Sequence, residues 1–171
     1  MKALLFALLA VAACAAEVKD LSNHFLLKHY VGKWEASGTL KNQQGNDVEI
    51  SEEWTGRVEG PGTFVLAGNR TFNGETQSFT WTLTHNPATD SFEAMLLGQD
   101  GNQLRFEAQF SESEMTLELK AVTGNGNGSI TVLDRLKGES KDEIESEVTF
   151  IGDGGETTLQ GKILHKRLKT A

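Results

Sequence analysis

From Lys33 onward, apolar and polar side chains alternate in short runs that are separated by turn-forming residues. In the first run, Trp34, Ala36 and Leu40 share one face, whereas Lys33 and Glu35 occupy the other. Strict alternation is typical of a β-strand that buries one face and exposes the other. The run therefore predicts a half-buried strand, and the same pattern recurs to the C-terminus.

Ten such runs follow one another at about the spacing that is typical of β-sandwiches and β-barrels. The predicted strands cover residues 33–41, 47–58, 63–72, 76–85, 91–98, 103–111, 115–122, 129–136, 142–151 and 157–169. The separators NPATD, QDGN and TGNGNG are rich in the Asn, Asp and Gly that tight turns require. Because a closed meander has no costly free edges, we expect an all-β, antiparallel up-and-down barrel of about ten strands. A sandwich is the alternative.

The segment before the first strand has a different period. Between Val18 and Val31, apolar residues such as Leu21, Phe25 and Leu26 recur at a roughly helical spacing, and Gly32 follows as a stop signal. The pattern predicts one short amphipathic helix over this range, ahead of the barrel.

The N-terminus, MKALLFALLAVAACAAE, has a lysine, an apolar run and then small residues, which is the order of a secretory signal peptide. The apolar run is shorter than the roughly 20 residues that cross a membrane. We expect residues 1–16 to be a signal peptide and residues 17–171 to form one exported domain, periplasmic or extracellular.

The single cysteine, Cys14, lies in the sequence VAAC, which resembles a bacterial lipobox. In that interpretation Cys14 becomes an acylated first residue and tethers the domain to the outer membrane. Ordinary cleavage after Ala16 would instead remove the thiol. In both cases the folded domain contains no disulfide, so its stability must come from a packed core.

Acidic residues outnumber basic ones by 24 to 16, for a net charge of −8, and no run of Lys or Arg interrupts this balance. Nucleic acids and anionic membrane surfaces are therefore poor partners. Charged residues also line one face of the strands, where a membrane-spanning barrel would need apolar side chains. We expect a monomer without a membrane span.

The segment FLLKHYVGKWEASGTL, with its G-x-W start to the first strand, resembles the opening of lipocalins and of related calycin-type families. It is also similar to bacterial lipocalin-like families of unknown function. The resemblance implies that Trp34 closes one barrel end beneath a basic residue of the last strand, for which Arg167 is the first choice. At an antiparallel seam these two positions would meet, and a cation–π contact there would contribute about 0.5–2 kcal/mol. The expected ten strands depart from the eight of lipocalins.

The sequence contains no G-x-S-x-G, no H-E-x-x-H and no phosphate-binding Gly-Lys loop, so we expect neither an enzyme nor a bound cofactor. His24 and His29 lie five residues apart, which suits one metal ion poorly. His165 shares a strand face with Ile163 and Arg167, and ten-stranded haem-binding barrels use a strand histidine as an axial ligand. A haem ligand is therefore the less favoured hypothesis for His165, after a buried, hydrogen-bonded one.

Apolar and aromatic side chains at strand positions that are predicted to face the barrel interior are candidate walls of a cavity. The candidate ligand-binding residues are Trp54, Phe64, Arg70, Phe72, Trp81, His85 and Phe106. These aromatics either line a pocket or fill a core, and His85 either contacts a ligand or bonds the adjacent loop.

Two charged residues, Glu52 and Arg70, occupy strand positions that are predicted to face the interior. A buried charge needs a partner. They either pair with each other, or Arg70 receives an acidic ligand headgroup. The favoured function is a carrier of a small hydrophobic or amphipathic molecule. The alternative is a non-catalytic envelope or protein-interaction module, and a haem protein or enzyme is less favoured.

Overall fold

The computed structural model describes residues 17–123 and 126–169, which form an antiparallel barrel of ten strands. The strands are β1 (Gly32–Asn42), β2 (Asp47–Gly60), β3 (Thr63–Phe72), β4 (Glu75–Asn86), β5 (Ser91–Gly98), β6 (Gln103–Ser111), β7 (Thr116–Thr123), β8 (Gly128–Lys137), β9 (Glu143–Ile151) and β10 (Thr157–Arg167). The predicted all-β meander is confirmed. The predicted signal peptide and Cys14 lie outside the described residues.

Each strand pairs with its neighbours in the sequence, and β1 also pairs with β10, which closes the barrel. At this seam Trp34 is the register partner of Arg167. Closure removes the two free edge strands that an open ten-stranded sheet would have. The β-sandwich, which was the alternative, is excluded by this closure.

The prediction of a helix over residues 18–31 is wrong. Across this described segment the chain makes only two single turns of 3₁₀-helix, Leu21–Asn23 and Leu27–His29. Side-chain acceptors explain the interruption, because the Nδ1 of His24 accepts from the backbone N–H groups of Leu26 and Leu27, at 3.3 Å each. Such local bonds compete with the i to i−4 bonds of an α-helix.

The two short turns cover one end of the barrel, which we call the plugged end. Leu21, Leu26, Leu27 and Tyr30 are all buried there against residues of the strands. The apolar residues whose spacing suggested a helix are therefore buried, but in a compact, irregular segment that we call the plug. No helix in the described part of the chain has the length and apolar character needed to cross a membrane.

Close contact between strands explains some of the glycines in the wall. At Gly68 on β3, a Cβ would lie 2.0 Å from the carbonyl oxygen of Glu53 and 2.6 Å from the Cα of Trp54. These are backbone atoms of the adjacent strand, which cannot move aside easily. Only glycine fits there, and its absence of a side chain also leaves space inside the barrel.

Candidate functional site

The barrel encloses a cavity of about 370 Å³. Aromatic and aliphatic side chains from all ten strands supply its walls, together with a few polar groups. Two of the lining residues, Phe72 and Leu104, lie near the β3–β4 and β5–β6 turns, and each exposes more than a third of its surface. The cavity therefore opens at the end opposite the plug, which we call the mouth.

Most of the residues predicted to line a cavity do so. Trp54, Phe64, Arg70, Phe72, Trp81 and Phe106 all belong to its lining. Trp81 and Phe106 also contact each other, with ring centroids 4.8 Å apart. The aromatics thus form walls, and the barrel interior is not filled by them.

His85, the seventh predicted residue, lies outside this cavity lining. It is buried near the plugged end, where its Nδ1 accepts from the backbone N–H of Lys19 at 3.3 Å. Its Nε2 lies 2.9 Å from the carboxylate of Asp90, in the turn after β4. These bonds tie the N-terminal segment to that turn. Of the two roles expected for His85, a bond to the adjacent loop is therefore the one present.

Beneath the cavity, at the plugged end, Trp34 is fully buried and Arg167 lies over its ring, with the Cζ 4.5 Å from the centroid. The guanidinium also donates to Asp142 at 2.8 Å and to the backbone carbonyls of His29 and Val31. Arg167 therefore fastens the plug, the last strand and the floor tryptophan together. This is the arrangement that the resemblance to calycin-type families implied.

Trp54 forms the next layer above the floor. Its ring stacks on Trp34 with the centroids 5.2 Å apart and the planes 12° from parallel. The upper side of Trp54 lines the cavity. The floor that a ligand would meet is consequently Trp54.

Glu52 and Arg70 are register partners on β2 and β3 and form an ion pair of 2.5 Å inside the barrel. Glu52 exposes 4% of its side chain and Arg70 exposes 32%, so the carboxylate is the deeper partner. The guanidinium also lies over the Phe79 ring, with the Cζ 4.9 Å from the centroid. Of the two alternatives for these charges, mutual pairing is the one present.

A chain of hydrogen bonds crosses the inner end of the cavity from Trp54 to Asp134. The Nε1 of Trp54 lies 3.1 Å from the Nδ1 of His165, and the Nε2 of His165 lies 2.9 Å from the Oγ of Ser146. Ser146 then bonds Asp134 at 2.6 Å, and Tyr30 bonds the other carboxylate oxygen at 3.1 Å. We call these five residues the polar relay.

The indole of Trp54 fixes the direction of the relay, because an indole N–H can only donate. The Nδ1 of His165 must accept, so the proton of the neutral imidazole lies on Nε2 and is donated to Ser146. Burial lowers the pKa of His165, which keeps the ring neutral against the opposing charges of Asp134 and Glu52. The Ser146 hydroxyl is then left to donate to Asp134.

Asp134 is the acceptor on which the relay ends. Burial raises the pKa of this carboxyl, whereas the hydrogen bonds from Ser146 and Tyr30 act in the opposite direction. Burial likewise raises the pKa of the Tyr30 hydroxyl, so it stays protonated and can donate. Both oxygens of Asp134 therefore receive a hydrogen bond from a neutral hydroxyl.

The relay does not suit His165 as a haem ligand. Both of its ring nitrogens already have hydrogen-bond partners, so an axial bond would break the contact with Trp54 or with Ser146. His24 and His29 lie at the ends of the two 3₁₀ turns of the plug. Among residues 17–123 and 126–169, no three His, Cys, Asp or Glu side chains cluster in a way that would hold a metal ion.

Sequence reasoning missed Tyr30, Asp134 and Ser146. Asp134 follows Ile130 and Val132 on the inward face of β8, and Ser146 falls between inward residues of β9. The signal that could have found them is a polar residue at a strand position where the alternation predicts an inward-facing apolar one. That signal did single out Glu52 and Arg70.

No protein-family model matches this chain, and no curated protein matches it. Among solved structures, the chain is similar to Rv2717c from M. tuberculosis, with a TM-score of 0.62 and 16% identity over 84% of this chain and 95% of that one. It is also similar to the S-type phycobiliprotein lyase CPES from Guillardia theta, with a TM-score of 0.60 and 10% identity over 85% and 92% of the two chains. At these identities the likeness shows the shared barrel fold alone.

Proposed function

We propose that the barrel binds a small hydrophobic or amphipathic molecule in its cavity. The observation that carries this proposal is an apolar space of about 370 Å³, closed at the plugged end and open at the mouth. This volume lies in the lower part of the range of about 300–1,000 Å³ that is usual for small-molecule sites. Desolvation of the ligand against the aromatic walls would supply most of the binding free energy.

The test is native mass spectrometry of the protein purified from its own cells, followed by mass measurement after denaturation. A mass excess that disappears on denaturation would support a noncovalent ligand and would give its mass. Recombinant protein can then be titrated with that compound. A cavity that excludes every amphiphile offered would contradict the proposal.

A pair of tryptophan substitutions provides a matched control. Val132 on β8 lines the cavity, whereas the adjacent Thr131 belongs to the opposite face of the same strand. Val132→Trp should fill part of the space and weaken binding, whereas Thr131→Trp should leave binding unchanged. Equal effects of the two substitutions would place the ligand elsewhere.

We further propose that the cavity is not a hydrolytic site, although it contains a serine, a histidine and an aspartate. A nucleophilic serine must give its proton to the histidine. Here the direction of the relay is reversed, since His165 donates to Ser146 and Ser146 donates to Asp134. Hydrolysis of an activated ester that disappears in Ser146→Ala would overturn this inference.

Export is proposed from the N-terminal sequence. Residues 1–16 are proposed to be a signal peptide, and Cys14 is the lipidation candidate if the domain is tethered to the outer membrane. The mass of the mature protein distinguishes the two forms, because a chain that begins at Glu17 lacks the acyl mass of a diacylated Cys14. A cytoplasmic, full-length product would contradict both.

A further inference from the structure

We infer that the cavity selects ligands that carry a positively charged, hydrogen-bond-donating amino group, and that this group binds Asp134 at the inner end of the cavity. The inference rests on the proposed function and adds the chemical class of the ligand. It depends on the balance of charges inside the barrel and on the direction of the polar relay.

Four charged or titratable groups line the cavity besides Asp134. They are Tyr30, whose hydroxyl stays protonated, and Glu52, Arg70 and His165. Arg70 is the one cation among the described lining residues, and it is already paired with Glu52 at 2.5 Å. His165 is held neutral, because protonation of its Nδ1 would place an N–H against the N–H of Trp54. Asp134 therefore has no cation to balance it.

An anionic headgroup fits this arrangement poorly. To reach Arg70 it would have to displace Glu52, which is almost fully buried and would then be left without a partner. An unpaired buried charge is strongly destabilising. The alternative in which Arg70 receives an acidic ligand is thus disfavoured by the partner that Arg70 already has.

The carboxylate of Asp134 has acceptor capacity to spare. It accepts one hydrogen bond on each oxygen, from Ser146 and from Tyr30. An ionised carboxylate offers about four lone-pair positions, so about two stay available to a ligand. Asp134 lines the cavity, and so does the Trp54 ring, whose face can attract a cation.

A protonated amine would supply both the hydrogen-bond donors and the counter-charge that Asp134 lacks. Its N–H groups would donate to the free positions on Asp134, and its charge would offset a carboxylate that burial otherwise disfavours. The burial-induced rise in the pKa of Asp134 agrees with a site that lacks its counter-charge. The apolar remainder of the ligand would lie along the aromatic walls toward the mouth.

The experiment compares 1-decylamine, 1-decanol and decanoate, which differ only in the headgroup, by calorimetric titration near neutral pH. For the wild-type protein we expect the amine to bind about tenfold more tightly than the alcohol, and decanoate to bind most weakly. Asp134→Asn should remove the advantage of the amine over the alcohol. Its matched control is Asp153→Asn, which makes the same charge change at an exposed position in the β9–β10 turn and should keep the wild-type ranking.

Decanoate binding as tightly as the amine, or an amine advantage that persists in Asp134→Asn, would overturn the inference and leave the cavity function intact. Failure of all three compounds to bind would contradict the proposed function and the inference with it. If Asp134→Asn does not fold, a crystal structure of the wild-type protein with 1-decylamine decides the question. The nitrogen is expected within hydrogen-bond distance of Asp134, and a nitrogen at the mouth would overturn the inference.

Discussion

Removal of Arg70 tests the claim that the interior ion pair stabilises the barrel chiefly by satisfying Glu52. In Arg70→Met the carboxylate would stay almost fully buried, 4% exposed, and would lose its 2.5 Å partner. Breaking a buried pair in this way costs about 3–5 kcal/mol. Because Arg70 itself is 32% exposed, water can reach part of the site, and we expect a loss of about 2–3 kcal/mol.

Glu52→Gln should cost less, about 1 kcal/mol, because the long side chain of Arg70 can extend toward the mouth and keep its charge hydrated. The double variant should be more stable than the sum of the two single losses predicts, with a coupling free energy of about 1–2 kcal/mol. Urea unfolding near neutral pH, with the slope of each transition compared among the four proteins, measures these values.

Two results would refute this reasoning. A loss below about 0.5 kcal/mol in Arg70→Met would mean that Glu52 does not depend on its partner, as is usual for surface positions. Additive losses in the double variant would mean that the two side chains act independently despite their contact. In that case the stabilising contact of Arg70 would be the one with the Phe79 ring, at 4.9 Å.

Three further predictions concern the wall and the plug. Gly68→Ala should destabilise the barrel by about 1–3 kcal/mol in urea unfolding, whereas Gly60→Ala, where a Cβ meets nothing within 4 Å, should change stability by less than about 0.5 kcal/mol. Arg167→Lys keeps the charge but loses the planar guanidinium that donates to Asp142 and to the backbone carbonyls of the plug. Thermal unfolding of this variant should therefore occur at a lower temperature, and an unchanged midpoint would contradict this. Burial lowers the pKa of His24 from its ordinary 6.5 to about 4, so the unfolded chain binds more protons and stability should fall as the pH drops from 6.5 toward 4. His24→Asn should flatten that part of the pH profile relative to wild type, and parallel profiles would count against it.

The strands were predictable because alternation is a local property. Each inward position is identified by residues two away in the same strand, and the turns supply their own signals, such as Asn73 and Gly74, which both have positive φ. The plug was not predictable in the same way. Its apolar spacing is close to helical, but His24 accepts the backbone N–H groups of Leu26 and Leu27, and this competition does not appear in a hydrophobic pattern.

The polar relay was harder to predict because it depends on register between strands. Ser146 pairs with Asp134 across β9 and β8, and it pairs with Ile163 across β9 and β10, so His165 is its diagonal neighbour. That register lies beyond an irregularity between Thr157 and Leu159 at the start of β10. A slip of one residue would turn a strand's inward side chains outward, so the alignment that builds the relay cannot be obtained from one strand alone.

Register also explains why the same wall can hold an aromatic floor and a polar inner end. At the floor, the seam aligns Trp34 with Trp54 on one side and with Arg167 on the other, and the aromatic stack leaves the guanidinium bonded to the plug. Two residues further along each strand, Glu52 and His165 take the corresponding inward positions beside Ala36. The small side chain of Ala36 leaves room between them, and the polar groups face the cavity there. A ligand in this barrel would therefore meet apolar walls along the cavity. Under the inferred selectivity, the acceptor without a counter-charge among the described lining residues lies where β8, β9 and β10 bring the relay together.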